Sequence, residues 1–153
     1  MNALKLKTLA LVALLLLAPL HAFAQTAEEA YEKGKAAYRK GQNFEAIEYF
    51  NQSIQLDAQK FESYFDRGCT KWGLGDYAGA IKDYTKTIQL NPKFATAYNN
   101  RGFAKAQSGD KVGAFADLEK AKQLYKVQGN SQGYNNALKN KNLASDLFAR
   151  QGQ

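Results

Sequence analysis

Apolar residues recur through residues 27–127 at the three- and four-residue spacing of helices, and short turns containing Gly or Pro interrupt them. Residues at that spacing lie on one face of a helix, so each stripe predicts a helix that buries one side. Gly and Pro are typical of the places where helices end. The predicted helices span residues 27–40, 43–56, 61–74, 77–91, 95–108 and 111–127. Because no strand-like alternation is sustained, we expect an all-α chain.

The central pair of helices, residues 61–94, is repeated on both sides at a fixed offset of 34 residues. Shifted forward it matches the chain at twelve positions, and shifted backward it matches at eight. The forward matches include Arg67, Lys71 and Asp83, which meet Arg101, Lys105 and Asp117. A fixed period of this size is typical of a solenoid built from one repeated unit, here residues 27–60, 61–94 and 95–128.

The regularly placed residues of the central copy are Tyr64, Gly68, Gly75, Asp76, Tyr77, Ala80, Tyr84, Thr87 and Pro92. This pattern resembles the tetratricopeptide repeat over residues 27–128, although Lys33, Arg67 and Arg101 occupy positions where that family usually has leucine. The resemblance implies a right-handed α-solenoid of three helix pairs. It also implies that a peptide or protein segment binds in a concave groove lined by the first helix of each pair.

Several of these residues have a direct physical role in a helix pair. Gly68 and Ala80 are small, which lets the paired helices approach closely. Gly75 suits the left-handed backbone at a helix end, and Asp76 can cap the helix that follows. Pro92 lacks an amide hydrogen and restricts the residue before it, so the second helix is expected to stop there.

The C-terminal segment, residues 129–153, is predicted to form a turn and a capping helix. Residues 129–133 are a turn cluster in which Asn130 or Ser131 could cap the next helix. The helix predicted over residues 134–150 carries its apolar residues mostly on one side and polar residues on the other. A helix with one polar side is what the open end of a solenoid requires, because terminal units must cover the exposed core.

Residues 1–24 are predicted to be a cleaved signal peptide. Two lysines precede an apolar, leucine-rich run that ends in the A-x-A cleavage pattern of residues 22–24. The alternative is an uncleaved anchor, but the run is short for a membrane span of about 20 residues and contains Pro19. We therefore expect an exported mature chain, periplasmic or secreted, that starts at Gln25. Cleavage removes His21, the only histidine, which excludes a Ser-His-Asp triad or a His-ligated metal from the mature chain.

The formal net charge is +7, and it falls to +5 without the two leader lysines. Residues 25–90 hold nine basic and ten acidic side chains, whereas residues 91–153 hold ten basic and four acidic. We interpret the basic half as a solvated surface; the alternative is a patch for an acidic partner such as anionic lipid headgroups or an acidic protein. Nucleic acid is not an expected partner, because the chain carries an export signal and no recognisable nucleic-acid module.

The resemblance assigns positions 5, 9 and 12 of each first helix to the concave groove. The residues at these positions are Tyr31, Lys35 and Tyr38, then Phe65, Cys69 and Trp72, then Asn99, Phe103 and Ala106. Spacings of four and three residues place each trio on one helix face. Aromatic residues there could anchor a partner, while the alternative is that they belong to the core. The predicted groove residues are therefore Tyr31, Lys35, Tyr38, Phe65, Cys69, Trp72, Asn99 and Phe103.

Charged versions of this groove clamp a C-terminal carboxylate with paired Lys, Asn and Arg side chains. At the corresponding positions this chain has Tyr31, Lys35, Asp66, Thr96 and Asn100. Only Lys35 among them supplies a positive charge. We therefore predict an apolar, aromatic groove and not a carboxylate clamp.

Cys69 is the only cysteine of the chain, so it cannot form an internal disulfide. It is either a small packing residue or a thiol in the groove that can form a mixed disulfide.

The function predicted from the sequence is that of a non-enzymatic adaptor or scaffold. It would bind a peptide or protein segment and would need no cofactor, metal or small-molecule substrate. The alternative is a structural accessory that acts through its basic C-terminal surface or by self-association. An enzymatic function would require a hidden carboxylate pair, and the frequent carboxylates are predicted at helix caps or on exposed faces.

Overall fold

The computed structural model describes residues 25–151, and these form seven helices without any strand. The helices are α1 (Ala27–Arg39), α2 (Asn43–Leu56), α3 (Phe61–Gly73), α4 (Tyr77–Leu90), α5 (Ala95–Gln107), α6 (Lys111–Val127) and α7 (Ser131–Gln151). The prediction of an all-α solenoid is confirmed. The predicted signal peptide lies outside the described residues, so it stays a prediction.

The helix ends follow the turn chemistry expected from the repeat. Gly75 has a φ of +81°, a left-handed conformation that glycine adopts without strain. Asp76 then accepts a hydrogen bond from the amide of Gly79 at 2.8 Å and so caps α4. Asp110 caps α6 through Gly113 in the same way. At the start of α1, Thr26 and Glu29 form a reciprocal capping box.

The capping helix α7 begins at Ser131, three residues before the predicted start at residue 134. Its first turn is closed by Asn130, whose Oδ1 accepts a hydrogen bond from the amide of Gly133 at 2.8 Å. Gly133 lies inside the helix because the ring of Tyr125 packs directly against it. A Cβ at position 133 would come within 2.4 Å of that ring.

The helices form an inner and an outer layer. Each helix packs against its neighbours in the chain, and the odd-numbered helices α1, α3, α5 and α7 also contact one another in sequence. Within residues 25–151 the even-numbered helices make no such contacts with each other. The odd-numbered helices therefore lie on the shorter, concave side of the solenoid, which we call the inner face.

Close approach of the two helices in each pair depends on a glycine in the first helix. Gly34, Gly68 and Gly102 pack against Phe50, Tyr84 and Leu118 respectively. An added Cβ would lie 2.6–2.9 Å from the nearest atom of these side chains, closer than van der Waals contact allows.

The end of the third repeat is covered by α7. Ala144, Leu147 and Phe148 pack on Ala114 and Leu118. Ala137 and Tyr134 likewise pack against Tyr125 and Ala121. The apolar side of α7 thus covers the core of the last repeat, as expected for a capping helix whose other side is polar.

A charged network joins the paired helices of repeats two and three, and it explains the presence of Arg67 and Arg101 where the repeat pattern usually has leucine. Arg67 forms a bidentate contact with Asp83, with N···O distances of 2.9 and 2.5 Å, and Lys71 lies 2.9 Å from the same carboxylate. Arg67 also donates to Asn51 of the preceding repeat at 2.6 Å. One guanidinium thus connects two repeats.

The same arrangement recurs one repeat further on. Arg101 and Lys105 contact Asp117 at 2.7–2.8 Å, and Arg101 donates to Thr85 of the preceding repeat at 3.1 Å. The Asp83 and Asp117 side chains are 5% and 7% exposed, so both carboxylates are buried, whereas the cations that contact them stay partly exposed.

Candidate functional site

Three shallow depressions lie side by side along the inner face. The first, of about 240 Å³, is lined by Lys35, Tyr38, Arg39, Phe50, Asp66 and Cys69. The middle one, of about 250 Å³, is lined by Tyr38, Cys69, Trp72, Tyr84, Asn100, Phe103 and Asn140. The third, of about 200 Å³, is lined by Phe103, Gln107, Leu143, Asp146, Leu147 and Arg150. Because neighbouring depressions share residues, they form one continuous groove.

Each inner helix contributes one large side chain to this groove. Tyr38 of α1 is 48% exposed, Trp72 of α3 is 38% exposed and Leu143 of α7 is 45% exposed. Phe103 of α5 lies between them, with its ring centroid 6.0 Å from that of Trp72. Exposure of large apolar side chains in one row is unusual for residues whose only role is packing.

Four of the predicted groove residues meet in the middle depression, namely Tyr38, Cys69, Trp72 and Phe103. A fifth, Lys35, lines the first depression, where its Nζ lies 2.7 Å from Glu32.

Tyr31 lies beside the first depression and is held in place by the fold. Its hydroxyl donates a hydrogen bond of 2.8 Å to Asp66, and its ring packs against Phe50 with 6.0 Å between centroids. Burial, reinforced by the Asp66 carboxylate, raises the pKa of the Tyr31 hydroxyl far above its ordinary value. The Tyr31 hydroxyl therefore stays neutral, and it positions the Asp66 carboxylate by donating this hydrogen bond.

Phe65 and Asn99, the remaining predicted groove residues, pack against other side chains of the fold and do not line the groove. Phe65 packs against Tyr84 and Phe94, with ring centroids 5.8 and 4.9 Å away. Asn99 is only 8% exposed because Asn140 of α7 covers it and donates to its Oδ1 at 3.0 Å. Neither residue is among those lining the three depressions.

Sequence reasoning did not assign Tyr84, Asn100 or Asn140 to the groove. Tyr84 reaches the groove from the outer helix α4, and its hydroxyl points at the Cys69 sulfur. Asn140 comes from the capping helix, for which the repeat pattern gives no position. Asn100 occupies one of the carboxylate-clamp positions of the family, and this placement was the signal from which its groove location could have been predicted.

The thiol of Cys69 is mostly enclosed by the fold. The hydroxyl of Tyr84 donates to its sulfur at 3.5 Å, and the amide of Asn100 donates at 3.6 Å. Burial is the main reason that the pKa of Cys69 is raised to about 11. The two hydrogen bonds and the charge of Asp66 have smaller effects on this pKa. A thiol in this state is a weak nucleophile, which favours the packing role.

Residues 25–151 contain no group of three or more His, Cys, Asp or Glu side chains arranged to hold a metal ion. Within the same range, each helix is too short or too polar to cross a lipid bilayer.

Comparison with known proteins supports the tetratricopeptide repeat family. A tetratricopeptide repeat model matches residues 27–60, and a second model, described as a TPR repeat, matches residues 73–109. A sequence comparison with curated proteins finds no match.

Solved structures of this fold are similar over most of the chain. The first TPR of Spaghetti (RPAP3), bound to an HSP90 peptide, is 23% identical with a TM-score of 0.73, covering 82% of this chain and 94% of its own. The TPR2B domain of yeast Sti1, in a pHsp70 complex, is 25% identical with a TM-score of 0.66, and the match covers 74% of this chain and 96% of that domain. PcrH, in complex with the chaperone-binding region of PopD, is 21% identical with a TM-score of 0.70, covering 81% and 92%. The fold is therefore of the tetratricopeptide type.

Proposed function

From a tetratricopeptide-type fold with an aromatic inner face, we propose that this protein is a non-enzymatic interaction module. It binds an extended or helical segment of another protein along the groove formed by the three depressions. The observation that carries this proposal is the row of exposed side chains Tyr38, Trp72 and Leu143 on three inner helices. An apolar row of this kind gains free energy when a partner covers it.

The size of the depressions favours side chains of a larger partner over a whole small molecule. Each has a volume between about 200 and 250 Å³. Typical small-molecule sites are deeper clefts of about 300–1,000 Å³ that enclose most of the ligand. Three small depressions in a row match several anchor side chains of one segment. The complexes of Spaghetti, Sti1 and PcrH show that proteins of similar fold bind such segments, which supports the proposal.

The proposal is tested by affinity capture with two matched double variants of the mature chain. Tyr38→Ala with Trp72→Ala removes two groove side chains. Phe44→Ala with Val112→Ala removes two side chains that are 78% and 83% exposed on the outer helices α2 and α6. The groove variant is expected to lose a partner that wild type and the outer variant retain. Circular dichroism should show that all three proteins remain folded.

Loss of the partner from both variants, or from neither, would contradict the groove as the binding site. If both the groove variant and the outer variant retain the partner, the basic C-terminal half is the next surface to test, as in the alternative hypothesis. We also propose that the protein acts outside the cytoplasm, because residues 1–24 have the pattern of a signal peptide. N-terminal sequencing of the natural protein should then begin at Gln25.

A further inference from the structure

The groove contains a carboxylate that the fold does not pair with a cation. Asp83 and Asp117, two buried carboxylates on the outer helices α4 and α6, each contact an Arg and a Lys. Asp66 of α3 is partly buried, yet none of the ion pairs within residues 25–151 includes it. Leaving a partly buried carboxylate without a cation costs free energy, which a cation from outside the protein would recover.

Asp66 is bound on one side only. Its Oδ2 accepts the hydrogen bond from Tyr31, and the residue lines the first depression. Burial raises the pKa of Asp66, and Glu62 and Glu32 raise it further, against the opposing effects of Tyr31 and Lys35. The charges that act on this carboxyl from within the protein therefore do not compensate for its burial.

Two cations also line the first depression, and neither pairs with this carboxylate. Lys35 is 2.7 Å from Glu32, so its charge is largely compensated by that side chain. Arg39 is an exposed residue at the end of α1 and forms no ion pair within the described part of the chain. Long Lys and Arg side chains can turn their charges towards solvent, whereas the Asp66 carboxylate is held in place by the Tyr31 hydroxyl.

We propose that Asp66 binds a basic side chain, Lys or Arg, of the segment held in the groove. This inference rests on the proposed function and adds the chemistry of the partner. An apolar anchor of the same segment enters the middle depression beside Trp72. A segment that placed a carboxylate against Asp66 would be the less favourable occupant, because two like charges would then lie side by side.

The geometry also sets the spacing of the two recognition elements. Asp66 and Trp72 lie six residues apart on α3, a separation of about 9 Å along a helix axis. An extended segment covers about 3.3 Å per residue. The basic residue is therefore expected about three residues from the apolar anchor.

The test uses synthetic peptides and the fluorescence of Trp72, which is the only tryptophan. The peptides are about ten residues long, with both termini blocked to remove their charges. Each carries one Phe and, about three residues away, either Lys, Gln or Glu. The protein variants are Asp66→Asn, which keeps an oxygen for the Tyr31 hydrogen bond, and Glu48→Gln, which removes an exposed charge from the outer helix α2.

We expect the Lys peptide to bind wild type about tenfold more tightly than the Gln peptide, the effect of one partly exposed charged hydrogen bond. The Glu peptide should bind most weakly. Asp66→Asn should abolish the advantage of Lys while changing the affinity of the Gln peptide less than about twofold. Glu48→Gln should leave the advantage of Lys unchanged.

The inference is overturned if the Glu peptide binds as well as the Lys peptide, or if the Lys advantage survives in Asp66→Asn. Equal binding of all three peptides would leave the groove proposal in place and remove only the role of Asp66. Failure of every peptide to change the Trp72 fluorescence would contradict both the inference and the proposed groove.

Discussion

Replacing Asp83 with Asn tests whether the buried charged network holds the repeats together. The substitution preserves the shape of the side chain but leaves Arg67 and Lys71 without their negative partner. Removing one member of a buried ion pair costs about 3–5 kcal/mol. The Arg67 and Lys71 side chains remain 16% and 23% exposed, so water compensates part of the loss. We therefore expect Asp83→Asn to lower the free energy of unfolding by about 2–3 kcal/mol.

The measurement is urea denaturation followed by circular dichroism. A domain of this size has a stability of about 5–15 kcal/mol, so a loss of that magnitude is a large fraction of the total. The control is Asp76→Asn, the same chemical change at an exposed residue that caps α4. Asn caps a helix about as well as Asp, so the control should change stability by no more than about 0.5 kcal/mol. Asp117→Asn should reproduce the Asp83 result, because Arg101 and Lys105 hold it in the same geometry.

The reasoning would be refuted if Asp83→Asn and Asp76→Asn had the same small effect. That outcome would mean that hydration of the cations in the variant replaces the lost ion pairs. A large loss for Asp83→Asn with none for Asp117→Asn would show instead that the two networks are not energetically equivalent.

Two further predictions concern the glycines and the thiol. Gly34→Ala should destabilise the protein by about 1–3 kcal/mol because its Cβ would press on the buried Phe50 ring. Gly73→Ala places no atom within 4 Å of the new Cβ, so it should stabilise the protein by about 0.5 kcal/mol. Equal melting temperatures of the two variants would contradict the packing argument. Since burial raises the pKa of Cys69 to about 11, its reaction with a disulfide reagent at about pH 8 should be about a hundredfold slower in the folded than in the urea-unfolded chain, and similar rates would contradict the enclosure of the thiol. Because the folded state holds the Cys69 proton more tightly than the unfolded state, the free energy of unfolding should be unaffected by this group below the ordinary thiol pKa. It should fall as the pH rises from there towards 11.

The helices and turns could be predicted because their signals are local. Gly75 and Asp76 specify the end of one helix and the start of the next within a few residues, and the same pair recurs at a fixed period. The start of α7 was placed three residues late because residues 131–133 have turn-like composition. Their helical conformation depends on the cap at Asn130 and on the packing of Gly133 against Tyr125, and the second of these contacts is not local.

The groove could be predicted only in part, because its lining depends on how neighbouring helices cover one another. Position 12 faces the groove in repeats one and two, as Tyr38 and Trp72 show. In repeat three the corresponding Ala106 is buried under α7, and Phe103 takes its place in the aromatic row. The repeat pattern describes a helix with another repeat beyond it, so it could not account for the different cover that the capping helix provides.

Charged residues show the same division between what a pattern reveals and what packing decides. Arg67 and Asp83 recur one repeat later as Arg101 and Asp117, yet the sequence does not show that they meet across a helix pair. Once those contacts are known, the absence of such a contact at Asp66 becomes informative. The fold provides cations for both aspartates of the charged network, Asp83 and Asp117, whereas Asp66 lines the groove and forms no ion pair among the described residues. An unpaired charge at a binding surface lowers the stability of the free protein, and the same desolvation cost makes a complementary partner bind selectively.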